Sequence, residues 1–241
     1  MTRFWHKLYG PQHNNWDSEA ATSRDAKPEH REEAMKFFFQ RLGDGWLIDK
    51  TCINVMRIPY LYKLFPKSIF IYIYRDGRDN INSLIKGWKQ GARFSLLQYL
   101  GPPPCEVKID GGRYKHWCFF LPPDWRRYNN SPLEEVCAYQ WIVANKMALE
   151  AKKNIPKAQW IEVRYEDMFK NPMRTFEKIF AKLNLPFESH IKERCQNLLL
   201  YPVSIINGPP KLGKWKYENP KAIERIIDII RPLMSELKYE L

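Results

Sequence analysis

Residues Ser68–Tyr74 read SIFIYIY and run without a break into RDGRDNINSLIKGWKQ. The first stretch is apolar, β-branched or aromatic at almost every position, which suits a strand buried on both faces of a parallel sheet. The second opens on charged turn residues and settles into a helical pattern. A strand that ends at a charged turn and a helix is half of a βαβ unit, so this feature narrows the fold to the α/β class. A second such unit follows. QWIEVRYEDM predicts a strand and a polar turn, and NPMRTFEKIFAKLNL predicts a helix with Pro172 near its start.

Other elements are placed around these two units. From Pro28 to about Leu42 the chain predicts a helix with an acidic first turn. GWLIDKT predicts a short strand, and CINVMRIPYLYKLF a helix-like segment interrupted by Pro59. PLEEVCAYQWIVANKMALEAKK predicts a long helix, and a last helix runs from about Pro220 to Lys238. Met1 to about Lys27 shows no clear period and is expected to be irregular. Residues 91–132 carry GPPP, DGG and LPPDW among several Trp, Tyr and Arg residues. That is too long for a connector, and its aromatic content predicts an ordered insertion covering a site. The 241 residues are thus expected to form one domain, with 91–132 as its lid.

The net charge of +12 favours anionic partners. A plain solubility surface explains it as well. The basic residues are spread along the chain, with no basic tail and no DNA-reading motif, so nucleic acid is not an expected partner. No run approaches about 18 apolar residues, and no membrane span is expected. The opening MTRFWHKLYG lacks the apolar core of a secretion signal. The five cysteines, Cys52, Cys105, Cys118, Cys137 and Cys195, show no CxxC or Cys/His spacing of a zinc site, so no metal is expected. They read as buried free thiols, with a Cys105–Cys118 bridge as the alternative.

Arg75 ends the clearest strand, where its guanidinium offers a fixed fork to a phosphate beyond the sheet's carboxyl edge. Ser83 follows eight residues later, about two turns into the helix, on the side where it could face the same oxygens. A structural role fits equally: Arg75 paired with Asp76 or Asp79, and Ser83 solvated. GPPKLGK, from Gly208 to Lys214, matches the G-x-x-x-x-G-K phosphate-loop pattern, but Pro209 and Pro210 lack the N–H groups such a loop uses. Trp215 also stands where a Ser or Thr should hold magnesium, so the ATPase reading is rejected.

The run FPKSIFIYIYRDGRDNINSL resembles the 3′-phosphate-binding segment of sulfotransferases that use 3′-phosphoadenosine 5′-phosphosulfate. Three further stretches agree in order. LIDKTCINVMRIPYL resembles the family's strand, Lys-Thr and helix element, VRYEDM with NP its Tyr-Glu-Asp turn, and KLGKW its late basic loop. The resemblance covers roughly residues 46–90 and 134–240. It implies a fold like that of the P-loop nucleotide kinases, and transfer of a sulfuryl group from that nucleotide to a hydroxyl or amine. By residue, it implies Arg75 and Ser83 on the 3′-phosphate, Tyr165 on the adenine, and Lys211, Gly213 and Lys214 on the phosphates. Lys50 would stabilise the transition state, Glu166 and Asp167 would brace the turn, and Trp215 equally well anchors the last helix. The basic, aromatic segment 91–132 would suit a carbohydrate or an acidic peptide as acceptor, with a small phenol as the alternative, and no metal is required.

One family element is not found. Residues 1–50 hold only Gly10, Gly43 and Gly45, and none follows an apolar strand, so the Gly-rich, Ser/Thr-rich loop for the 5′-phosphosulfate is absent from them. The expectation is an N-terminally truncated version of the fold. TRFWHKLYG resembles the segment that follows this loop in many members, which makes His6 a candidate general base in place of the usual one. A structural histidine is the alternative. Two other functions remain: a member that binds adenosine 3′,5′-bisphosphate without turnover, and a basic module for polyanions.

Overall fold

A computed structural model describes residues 2–42, 46–200 and 211–240. In chain order its helices and strands are α1 (Thr2–Leu8), α2 (Pro28–Leu42), α3 (Ile58–Leu64), β1 (Phe70–Tyr74), α4 (Gly77–Lys89), α5 (Leu97–Leu100), α6 (Leu133–Lys152), β2 (Trp160–Arg164), α7 (Asp167–Lys170), α8 (Pro172–Lys182), α9 (Ser189–Gln196), α10 (Trp215–Glu218) and α11 (Pro220–Glu236). The fold is α/β with a parallel sheet, as expected. β1 pairs with β2 in parallel, in register from Phe70↔Trp160 to Tyr74↔Arg164. Proline positions explain several boundaries. Pro172 and Pro220 open α8 and α11, and Pro59 is the second residue of α3, where a missing N–H costs no helical bond. The expected break at Pro59 therefore lies one turn earlier, between a 3-10 helix at Cys52–Met56 and α3.

Three expectations are corrected. The opening residues are not irregular throughout: Thr2–Leu8 is helical. Trp5 and Leu8 are buried, and the Trp5 indole N–H donates to Asp49 at 2.6 Å, so packing rather than periodicity holds this short helix. The predicted strand at GWLIDKT does not form: residues 46–51 lie outside the sheet, whose only strands among the described residues are β1 and β2. Without a ladder to join, Trp46 is 62% exposed and Ile48 84%. β1 is likewise not buried on both faces. Tyr72 is buried, while Ile71 and Ile73 are 40% and 50% exposed. Ile161 and Val163, on the Ile71 face of β2, are buried, and α7 and α8 contact that strand. Cover on this face thus favours β2 over its neighbour.

The described residues fall into two compact units. One comprises residues 1–68 and 83–153, the other 69–82 and 154–241. In the first, residues 91–132 are ordered by aromatic packing and by Gln140. The Trp88 ring meets Tyr114 and Trp117 edge-on at 5.8 and 5.6 Å, and Trp117 meets Trp125 at 5.4 Å. Gln140 is fully buried and fully used. Its amide donates to the carbonyls of Cys118 (2.9 Å) and Phe120 (3.0 Å), and its oxygen accepts the Trp88 indole N–H (3.2 Å). No Cys105–Cys118 bridge forms: all five thiols are free, with Cys118 buried and Cys105 exposed. In the second unit, α11 buries Ile223, Ile226, Ile230, Leu233 and Met234, an apolar stripe at helical spacing.

Gly87 shows how closely the first unit packs. A β-carbon there would stand 2.2 Å from the Phe119 ring, which explains a glycine inside a helix where alanine is intrinsically better. Gly87→Ala should therefore lower stability by about 1–3 kcal/mol despite its helix preference. Urea unfolding measures it, and a gain in stability would contradict the packing described.

Candidate functional site

The parallel register brings the first candidate residues together. The Tyr165 N–H donates to the Tyr74 carbonyl at 2.9 Å, extending the ladder one residue beyond β1 and β2. Arg75 and Tyr165 therefore leave the carboxyl ends of neighbouring strands side by side, and the guanidinium lies over the Tyr165 ring at 4.6 Å. Burial pushes the Tyr165 hydroxyl above its ordinary value, and the Arg75 charge opposes that rise. The Arg75 side chain is 17% exposed, which leaves a cation held in place with part of its surface open.

Asp76 starts the next element. Its carbonyl accepts the Asn80 N–H (2.9 Å) and its Oδ1 accepts the Arg78 N–H (2.9 Å), so it caps α4. Arg78 folds back onto the same carboxylate through Nε (3.0 Å) and Nη2 (2.7 Å), and these bonds raise its pKa. This arginine is committed to the turn. Its guanidinium also lies 5.3 Å over the Trp215 ring.

Asp79 joins the two halves of the site. It is buried, with Oδ2 accepting the Gly213 N–H at 2.6 Å and Oδ1 accepting the Trp215 N–H at 3.4 Å. Its Oδ2 also stands 3.9 Å from Arg75 Nη2. One turn on, Asn82 accepts from the Asn219 amide and donates to Glu218, both at 2.7 Å. The first two turns of α4 thus hold residues 213–219 at several points. Gly213 has φ +73°, a left-handed conformation that a side chain would strain. Its N–H is directed at Asp79, so its part here is to let the loop turn. Lys214 is half-buried beside it, and the exposed Lys211 places its ammonium 5.5 Å from the Tyr217 ring. Of the rejected phosphate-loop pattern, residues 208–210 lie outside the described residues.

The structure thus brings together Arg75, Tyr165, Gly213 and Lys214, with Asp79 as the link. Asp79, Asn82 and Glu166 were not sequence candidates for binding, because their hydrogen-bond partners lie 73 to 137 residues away, at Gly213, Asn219 and Tyr239 among others. Of the two acidic partners considered for Arg75, Asp79 stands 3.9 Å from its guanidinium. Ser83, Lys50 and His6 belong to the first unit. Ser83 is exposed on α4. Lys50 is exposed next to Asp49, whose carboxylate is fixed by the Trp5 indole (2.6 Å), the Thr51 hydroxyl (2.5 Å) and the Asn54 amide (2.8 Å). His6 is buried against the carboxylate of Glu19. The other Glu19 oxygen accepts the Leu121 N–H (2.5 Å), and its carbonyl accepts Arg57 Nε (2.7 Å). Burial lowers the Arg57 pKa, with Glu19 opposing. His6 is thus part of a buried network with Glu19, Leu121 and Arg57. Among the described residues no cluster of His, Cys, Asp and Glu is placed to hold a metal ion, and no helix is long and apolar enough to cross a membrane.

Comparison with known proteins bears directly on this arrangement. The profile described as "Sulfotransferase family" matches residues 4–101 and 110–189. The chain belongs to the sulfotransferase family. The match begins well before residue 46 and includes most of 91–132, beyond the range of the sequence resemblance, but it stops short of the 211–215 loop. Human carbohydrate sulfotransferase 1 is 39% identical over 61 residues, 25% of this chain and 13% of that protein. Protein-tyrosine sulfotransferase 1 of Danio rerio is 23% identical over 213 residues, 81% of this chain and 49% of that one. The chain therefore spans about half or less of these relatives. A sulfotransferase structure from Mycobacterium avium shares the fold, with TM-score 0.55 and 16% identity over 88% of this chain and 47% of that one.

If Asp79 fastens this sulfotransferase loop, Asp79→Ala should speed hydrogen exchange at the Gly213 and Trp215 amides while α11 stays protected. The stability cost should be about 1–3 kcal/mol. Unchanged exchange at these two amides would contradict the linkage.

Proposed function

We propose that this chain moves a sulfuryl group from 3′-phosphoadenosine 5′-phosphosulfate to an acceptor hydroxyl or amine. The observation that carries this reading is the placement of Arg75. It is a partly exposed guanidinium at the carboxyl ends of two parallel strands, stacked on Tyr165 and linked through Asp79 to a Lys-Leu-Gly-Lys loop. Anions bind at such strand ends. In this proposal Arg75 holds the 3′-phosphate, Tyr165 the adenine, and Lys211 and Lys214 the remaining phosphate charge. Ser83 and Lys50 have the roles that the resemblance implies, a hydroxyl for the 3′-phosphate and an ammonium for the transferring group. The acceptor oxygen or nitrogen forms a bond to sulfur as the bond from sulfur to the 5′-phosphate oxygen breaks. The acceptor's proton passes to solvent, and adenosine 3′,5′-bisphosphate leaves. Lys50 would offset the negative charge that grows on the departing phosphate. His6 has no part in this scheme, since its ring is buried against Glu19.

The relatives named for carbohydrate and for protein tyrosine support a hydroxyl acceptor. The exposed Arg113, Lys115, Arg126 and Arg127 of segment 91–132 favour an anionic one. A second reading is binding of adenosine 3′,5′-bisphosphate without turnover, which needs only the Arg75 and Tyr165 pair at the strand ends.

Transfer of radiolabelled sulfate from the donor to a sulfated oligosaccharide and to an acidic tyrosine peptide separates the two readings. Labelled product is expected, with Lys50→Ala lowering turnover about 100-fold and leaving bisphosphate affinity nearly unchanged. Binding of the bisphosphate with no labelled product on either acceptor would favour the second reading.

A further inference from the structure

The segment that follows α11 packs on the turn that carries Arg75. Tyr239 is buried, and its hydroxyl donates to Glu166 Oε2 at 2.6 Å. The other oxygen of Glu166 accepts the Asp76 N–H at 3.0 Å, so one carboxylate joins Tyr239 to the residue next to Arg75. Five further contacts lie around this link. The Arg164 guanidinium lies 4.1 Å over the Tyr239 ring, with its Nε 3.6 Å from Glu166. The Tyr239 ring meets Tyr74 edge-on at 6.1 Å. Arg78 donates to the Glu240 carbonyl at 2.8 Å, and Met234 Sδ accepts the Gly77 N–H at 3.2 Å. Tyr74, Asp76, Gly77 and Arg78, on both sides of Arg75, are thus each contacted by residues 234–240 or by Glu166.

The geometry points to Tyr239 and Glu166 as positioning residues that set the direction of Arg75 and thereby the recognition of a nucleotide 3′-phosphate. This role rests on the nucleotide site proposed above. Asp76 has two jobs in the turn, capping α4 and pairing with Arg78, and neither fixes the peptide between Arg75 and Asp76. That peptide's N–H is taken by Glu166, and Glu166 is in turn oriented by the Tyr239 hydroxyl. Glu166 sits one residue beyond Tyr165, so the same carboxylate also steadies the backbone carrying the ring under Arg75. Burial and the bond to Glu166 push the Tyr239 hydroxyl well up, which keeps it a donor. A carboxylate that lost this donor would be free to turn toward Arg164, and the Asp76 N–H would lose its acceptor.

The test compares two ligands that differ only in the 3′-phosphate, adenosine 3′,5′-bisphosphate and adenosine 5′-monophosphate, by calorimetric titration. The wild type should prefer the bisphosphate. Tyr239→Phe should weaken bisphosphate binding about 5- to 10-fold and leave monophosphate binding within about 2-fold. Glu166→Ala should do the same, whereas Glu166→Gln should restore most of the preference. Its single carbonyl oxygen can accept from Asp76 while its amide donates to Tyr239. A merely structural role would lower thermal stability or weaken both ligands equally without changing their ratio. An unchanged ratio in Tyr239→Phe, or in the two Glu166 variants should Tyr239→Phe not fold, overturns the positioning role. A wild type that binds but shows no preference overturns the 3′-phosphate site itself, and the positioning role with it.

Discussion

The contact between the Asp79 carboxylate and the backbone N–H of Gly213 is the interaction on which the candidate site depends. A carboxylate this buried is costly unless its oxygens are bonded and a cation is near. Asp79 meets both conditions, with two backbone N–H groups and the Arg75 guanidinium. The same three contacts join pieces of chain that are far apart in sequence: the end of β1, the first turn of α4, and the loop before α10. Without Asp79, the fold would still present Arg75 at the strand ends, and Asn82 and Arg78 would still contact residues 215–219, but the Gly213 N–H of the Lys-Leu-Gly-Lys loop would lose its acceptor. The cost of burying the charge and the order of the site are therefore one effect.

The basic residues of this region divide into two groups. Arg78 and Arg164 serve the scaffold, the first on Asp76 and the second on Glu166 and Tyr239. Lys211 and Lys214 lie on the loop that Asp79 fastens, and Lys211 is exposed. A net charge of +12 therefore says less about function than the partners of each cation do. Charge alone suits nucleic acid, a membrane surface or nothing specific. A guanidinium stacked on a tyrosine at the end of a parallel strand suits a phosphate.

Much of the fold was legible in the sequence because β1, β2, α2, α6, α8 and α11 each follow a period or a proline rule that acts locally. Arg75 was legible for the same reason, since the end of an apolar strand is a local property. What escaped was non-local. Ile71 and Ile73 have the composition of fully buried residues, and only the cover over the neighbouring strand decides their exposure. Trp46–Ile48 look like a strand, but a strand exists only with a partner to pair. α1 has no amphipathic period, and Trp5 is held by Asp49, 44 residues away. Asp79 reads as an ordinary acidic residue in a first turn, and Tyr239 as an ordinary aromatic near the chain's end. Both acquire their roles through partners more than seventy residues distant.

The central claim is that Arg75 recognises a nucleotide 3′-phosphate, and calorimetric titration of adenosine 3′,5′-bisphosphate into wild type and Arg75→Ala tests it most directly. The account predicts micromolar binding to the wild type and a loss of about 100-fold or more in the variant, the cost of removing a charged, hydrogen-bonding partner from an anion. Equal affinity in the two proteins, or no binding to a folded wild type, would contradict it.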